Sequence, residues 1–317
     1  MSGLDTAGLD WEALRDLRQG FLHGMDADYW LSSELIDQYD RTFGERIGWK
    51  WDHVLSDLRM LGWAPPSGPV VDWACGSGVA GRRFGAAFGG DRPLYLRDRS
   101  ALAVRYAARR AREAGLEVLE GATAGGVLLV SHVLNELDDS ALDGLVALAN
   151  RMDAVVWVEP GDRATSRRLS TVRSRIDLSP VAPCTHSGAC PMLEPDHERH
   201  WCHQFGAPPP EAFTDRGWGE FANKIGVDLR SLPLSYLVLD ARCGTGSGSR
   251  IIGRPKVYKA HATVLLCDET GLKEVRVGKG RLPSAFRAAR KDQLGSRVDC
   301  VVRDDEVLEW NDGAPVL

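Results

Sequence analysis

The run PVVDWACGSG, residues 69–78, constrains the fold more than any other stretch. A short apolar segment ends at Asp72, and Gly76 and Gly78 follow at alternate positions. That reads as a strand running into a glycine turn, with VAGRRFGAAFG as the next helix. The alternation then repeats. PLYLRD is a second strand and SALAVRYAARRAREAG a helix; EVLEG, GVLLVSH and AVVWVEPG are third, fourth and fifth strands. The amphipathic DSALDGLVALANRM lies between the last two. A βαβα order of this kind predicts a mostly parallel sheet with helices on both faces. LSYLVLDAR and HATVLLCD read as strands six and seven of the same sheet.

Around that sheet the texture differs. Residues 10–62 carry apolar side chains at helical spacing, and APPSGP at 64–69 breaks the pattern. The expected organisation is a helical region over 1–65 and the sheet domain over 66–270. The latter carries a cysteine-rich insertion at about 176–230, and a β-rich C-terminal extension covers 271–317. A chain of 317 residues with 44% hydrophobic content can bury a large core. Its apolar runs are strand-length, which argues against a membrane span. The acidic start MSGLDTAGLDWEALRD has no secretory pattern, so a cytoplasmic location with reduced thiols is expected.

The glycine turn is a candidate nucleoside site. Small residues let the backbone approach a ligand, and the helix start offers its N–H groups. Asp98 ends the second strand about twenty residues later, where a carboxylate accepts hydrogen bonds from both ribose hydroxyls. These features suit NAD as well. The local pattern resembles the first motif of class I S-adenosylmethionine-dependent methyltransferases, D-x-G-x-G-x-G, with Ala74 at the first glycine position. That resemblance implies a class I (Rossmann-like) sheet and cofactor contacts from Asp72, Ala74, Gly76, Gly78, Asp98 and Ser131. In SHVLNELDD, Ser131, His132, Asn135 and Glu136 fall on the rim of the pocket. Asn135 and Glu136 are the catalytic candidates, although none of the four is a plain nucleophile or base.

PCTHSGACPMLEPDHERHWCHQF, residues 183–205, gathers Cys184, Cys190, Cys202 and four histidines among prolines and a glycine. No CxxC pair marks a zinc ribbon. In a reduced compartment thiolates on an irregular loop suit an iron–sulfur cluster, with a fourth ligand from Cys75, Cys243, Cys267 or Cys300. His186 and His203 keep a Cys/His zinc site open. Metal coordination supplies ordering energy that a Pro-rich segment cannot draw from apolar burial. The formal net charge of −5 hides a local excess, because residues 250–300 hold 12 Lys+Arg against 5 Asp+Glu. A second basic stretch, RATSRRLSTVRSR, covers 163–175. Two basic segments flanking the cysteines point to a phosphate-rich partner.

APCTHSGACPM…RHWCHQF resembles the P-C-x-H-x-x-x-C-P…W-C-H-F signature of methyltransferase-like proteins associated with the small ribosomal subunit, best known from mitochondria and also found in bacteria. YWLSSELIDQYDRTFGERI, SHVLNEL, VEPG, LSYLVL and LLCDETG agree in order, over roughly residues 28–300. The resemblance implies a [4Fe–4S] cluster on Cys184, Cys190, Cys202 and Cys267, and S-adenosylmethionine as cofactor. It also implies small-subunit rRNA as partner, with 163–175 and 250–300 as the basic contacts. Two other functions fit the same residues. One is a non-catalytic RNA-binding assembly module with a degenerate cofactor pocket; the other is a small-molecule methyltransferase with a structural zinc.

Overall fold

The computed structural model describes residues 3–23, 29–121, 124–242, 244 and 246–312. They form two compact units. One comprises Met1–Asp57, Ala64–Glu159 and Gly206–Leu232; the other comprises Leu58–Trp63, Pro160–Phe205 and Pro233–Leu317.

The first unit contains five parallel strands: β1 (Val70–Trp73), β2 (Leu94–Arg97), β3 (Val118–Leu119), β4 (Val127–Ser131) and β5 (Ala154–Pro160). Their order is β3-β2-β1-β4-β5, with every pairing parallel. Helices Val79–Phe88, Ala101–Glu113 and Asp139–Ala149 make the crossovers. Leu128, Leu129, Val155 and Trp157 are fully buried, the pattern of strands covered on both faces. This is the class I methyltransferase, Rossmann-like fold expected from the sequence. The order reverses between β1 and β4, which makes that crevice the place where doubly wound folds bind ligands.

The N-terminal region is helical, as expected, through Trp11–His23, Ser33–Tyr39 and Glu45–Met60. Trp30 and Ile36 pack on Ala103 and Tyr106 of the helix after β2. Asp40 is 4% exposed and holds three partners there. Its Oδ1 meets Arg82 at 2.6 Å, while Oδ2 meets Arg110 at 3.3 Å and accepts from Tyr106 Oη at 3.4 Å. A buried carboxylate is tolerable only with such satisfaction.

In the second unit, β6 (Ser179–Ala182) runs antiparallel to β8 (Leu232–Asp240), and β7 (Gln204–Gly206) also pairs with β8. Five further strands close a barrel: β9 (Ser249–Val257), β10 (His261–Asp268), β11 (Gly271–Gly278), β12 (Arg297–Arg303) and β13 (Glu306–Asp312). Their order is β10-β11-β13-β12-β9. Helix Pro283–Arg290 lies between the third and fourth barrel strands, and the third and fifth pair in parallel. That connectivity is the OB-fold. Val264, Leu266, Val275, Val277, Val298 and Phe286 fill it.

The barrel corrects one strand assignment. LSYLVLD is β8, but HATVLLCD is β10 and pairs with β9 and β11 of the barrel. Its alternation of inward and outward residues was the missed sign, since a strand covered on both faces lacks it. Among the described residues no helix is long and apolar enough to cross a membrane.

Replacing Asp40 by Ala leaves Arg82 and Arg110 without their shared buried carboxylate. The expected loss is about 3 kcal/mol, seen as a fall in melting temperature of several degrees. An unchanged melting curve refutes the anchoring role.

Candidate cofactor and thiol sites

The turn after β1 adopts a conformation that explains its composition. Ala74, Gly76 and Gly78 have φ of 55°, 50° and 77°, all in the left-handed region. Glycine enters that region freely, whereas alanine at the first of these positions is strained. A Cβ at Gly78 would lie 2.8 Å from Ala107 Cβ, so only glycine lets the two helices after β1 and β2 approach.

Two carboxylates hold the turn. Asp98, just past β2, accepts from Gly76 N through Oδ2 at 2.9 Å and from Ser100 N through Oδ1 at 2.9 Å. Asp72 is fully buried, and its Oδ2 accepts from Gly81 N at 2.9 Å. It therefore pins the helix start to β1 from beneath and does not line the crevice. Burial pushes its carboxyl up to about 7, opposed by the Gly81 N–H and Arg82.

At the end of β4, Ser131 Oγ accepts from Trp51 Nε1 at 2.9 Å and lies 3.3 Å from His132 Nδ1. His132 has a left-handed backbone, φ 52°, and its Nε2 lies 2.9 Å from Lys50 Nζ. Burial, then Lys50 and Arg46, hold this imidazole well below its ordinary range, so it is neutral. Neutral Nε2 then accepts from the Lys50 ammonium, leaving the proton on Nδ1. Lys50 is buried at 5% exposure and was not singled out from the sequence. It sits inside an ordinary amphipathic helix, where nothing in the spacing marks one lysine from another.

The two catalytic candidates are also engaged. Asn135 is exposed, and its Nδ2 donates to Phe21 O at 2.8 Å. Glu136 accepts from Tyr29 Oη at 3.2 Å and lies 3.9 Å from Arg99. Burial raises its carboxyl, while Tyr29 and Arg99 oppose the rise.

Glu159, in β5, is fully buried and receives Trp157 Nε1 at 2.7 Å, Leu134 N at 3.1 Å and Val133 N at 3.2 Å on one oxygen. It thereby holds the rim segment against the sheet. Burial lifts its carboxyl from an ordinary value of 4.5 to about 7. An acid raised in this way favours the folded chain while protonated, so its contribution fades as pH climbs from about 4.5 to about 7. Glu159→Gln keeps the acceptor oxygen and removes the titration. Its stability is expected to fall less than wild type between pH 5 and 8, by up to about 1.4 kcal/mol per pH unit in urea titrations. Parallel curves for the two proteins would refute this.

The cysteines lie in the second unit. Burial raises the Cys202 thiol well above its ordinary range, and the neighbouring Cys184, Cys190 and Cys267 raise it further. Burial likewise raises Cys267, followed by Cys184 and Cys190. These four thiols are thus within electrostatic reach of one another. Cys75 is raised by burial and by Asp72 and Asp98, and Cys300 by burial and by Asp268 and Asp299. Cys243 lies outside the described residues.

Burial again dominates at Cys184, but Arg173, Arg250 and Arg297 favour its thiolate. Arg250 is 1% exposed and donates to Tyr236 Oη at 3.1 Å; Arg297 donates to Val181 O at 2.7 Å. Arg173 donates to His186 O at 2.6 Å and Gly188 O at 2.8 Å. His186 is buried with Nε2 3.9 Å from Cys267 Sγ, and its Nδ1 makes no hydrogen bond. His203 instead stacks on Trp201, with ring centroids 4.7 Å apart. Among the described residues no group of three or more His, Cys, Asp or Glu side chains is arranged to hold a metal ion. The close tetrahedral cage of a mononuclear zinc site is therefore not preformed here.

Three of the five arginines of 163–175 have an internal task. Arg163 donates to Glu198 O, and Arg167 donates to the carbonyls of Met192, His197 and His200. With Arg173 they tie the cysteine segment to helix Arg163–Arg173.

No curated protein matches the chain. Solved structures similar to it include the plantazolicin methyltransferase BamL, at 12% identity and TM-score 0.38, covering 73% of this chain and 97% of that one. Mitomycin 7-O-methyltransferase MmcR has 18% identity and TM-score 0.38, with 56% and 65% covered. The 16S rRNA methylase RmtB has 15% identity and TM-score 0.33, with 51% and 72% covered. The family described as mitochondrial small ribosomal subunit Rsm22 matches residues 95–299. That match spans more than half of the chain, from the second sheet strand into the barrel, and the protein belongs to the Rsm22 family.

Proposed function

We propose that the protein is an S-adenosylmethionine-binding methyltransferase of the small ribosomal subunit. The observation that carries this is the left-handed turn Ala74–Gly78 at the switch point, held by Asp98, in a chain of a small-subunit family. The residues present fit the cofactor. Gly76 leaves the backbone open, Asp98 holds the turn from the end of β2, and the start of helix Val79–Phe88 adds N–H groups. When bound, the cofactor supplies an electrophilic methyl group. The chain's own part is to position the acceptor and exclude water. Glu159 and Lys50 fix the β4 and β5 ends of the crevice for that purpose.

A second reading, cofactor binding without transfer, draws support from the rim. Ser131 and Asn135 are both hydrogen-bonded within the protein, and Glu136 is held by Tyr29. Calorimetric titration with S-adenosylmethionine tests the binding common to both readings, and absence of binding refutes both. Labelled methyl incorporation into small-subunit particles supports the first, and binding without incorporation the second.

We further propose that Cys184, Cys190, Cys202 and Cys267 hold a [4Fe–4S] cluster. The donor set fits: four half-buried cysteines near one another, with three arginines that favour thiolate at Cys184. A cluster takes its ligands at wider spacing than a single ion does, and loading releases the thiol protons. Bound there, it supplies the cross-link that orders residues 183–205. Protein purified without oxygen is expected to carry about four iron and four sulfide per chain. Cys267→Ser should lose most of both, whereas Cys300→Ser keeps them. Equal iron in the two variants defeats the assignment.

A further inference from the structure

The barrel presents a surface that neither the cofactor site nor the thiols account for. Inward positions of β10 and β11 fill its core, so His261, Thr263, Leu265 and Cys267 of β10 face outward beside Gly278, Arg276, Glu274 and Leu272 of β11. This outer face of the second and third barrel strands is the one on which OB-folds bind oligonucleotides and oligosaccharides, with the adjoining first hairpin loop. Its two ends differ. At the Cys267 end it is covered, because residues 191–193 pack on β11 and Arg199 reaches Glu274 at 3.9 Å. At the His261 end the loop residues Tyr258 and Lys259, and Lys279 beyond β11, are exposed.

That open end carries an aromatic pair in the first hairpin loop. Tyr258 is 52% exposed, and its ring stacks on His261 with centroids 4.8 Å apart and an interplanar angle of 20°. The pair is held rigidly, since Tyr258 N donates to His261 O at 2.8 Å and Lys279 N to Ala260 O at 2.9 Å. Lys259 and Lys279 flank it, both exposed, and among the described residues neither has an ion-pair partner. Lys256 lies one row along and pairs with Glu274 at 3.5 Å. The far side is acidic: Arg276 faces Glu306 at 3.9 Å, beside Asp304 and Asp305. Positive charge and exposed π-surface therefore coincide at the first hairpin loop.

We propose that Tyr258, His261, Lys259 and Lys279 form a binding site for single-stranded RNA. The Tyr258 ring is the platform on which one base stacks, and the two lysines meet the flanking phosphates. Stacking on an exposed aromatic tolerates any base, so the site is structure-selective and not sequence-specific. A duplex, whose bases are already stacked, cannot use it. The choice of RNA rests on the small-subunit reading, whereas the geometry is independent of the cofactor site.

Fluorescence anisotropy of the full-length protein with a labelled single-stranded RNA of about 10 nucleotides tests it. Tyr258→Ala should weaken binding about tenfold or more, and Tyr258→Phe, which keeps the ring, should bind as wild type. Lys259→Ala with Lys279→Ala should lower the slope of log affinity against log salt by about 1.4, two phosphate contacts' worth for a single strand. Wild-type affinity in Tyr258→Ala, equal affinity for the duplex, or competition by a neutral oligosaccharide overturns the proposal. If Tyr258→Ala still binds small-subunit particles as wild type does, the barrel site fails and the small-subunit reading stands. Calorimetry on the same variants reads the cofactor site separately, and a failure to bind S-adenosylmethionine there sinks that reading alone.

Discussion

Two carboxylates at strand ends organise the parallel-sheet unit of the molecule. Asp72 and Asp98 each accept a backbone N–H from the turn or helix that follows β1, one from below and one from the side. An L-residue at positive φ costs about 1–2 kcal/mol, and Ala74 carries that strain, so the turn persists only because its neighbours are fixed. The crevice, the approach of the two helices at Gly78 and the exposure of helix N–H groups all depend on that fixed turn.

Charge plays the corresponding part around the thiols, with opposite sign. Burial and neighbouring thiols raise Cys184, Cys202 and Cys267, an unfavourable setting for thiolate. Arg173, Arg250 and Arg297 offset it, and two of these also bind main-chain carbonyls. The same side chains thus place the loop and set its electrostatics. That dual use explains why a basic helix need not signal a nucleic-acid surface: Arg163, Arg167 and Arg173 of 163–175 point at carbonyls of their own chain.

Much of this was legible in the sequence. The alternation from PVVDWACGSG to AVVWVEPG corresponds to β1 through β5, because period and turn chemistry are local properties. The cysteine segment stood out in the sequence, and Cys184, Cys190 and Cys267 act on the Cys202 thiol. What stayed hidden was long-range. HATVLLCD looks like any core strand until its partners are known, so the barrel was split at 271 although its first strand begins at Ser249. Asp72 read as a ligand contact and is a buried support. Lys50, about eighty residues from His132, meets it only because the N-terminal helix packs on the end of β4. No spacing rule encodes such a meeting.

One strand has two occupations. Cys267 and His261 both project from the outer face of β10, about 20 Å apart along an extended segment that β9 and β11 clamp on either side. A clamped strand shifts as a piece rather than residue by residue. Were a cluster bound at Cys267 as proposed, a shift of that sulfur would reset the position of the aromatic end through the same strand.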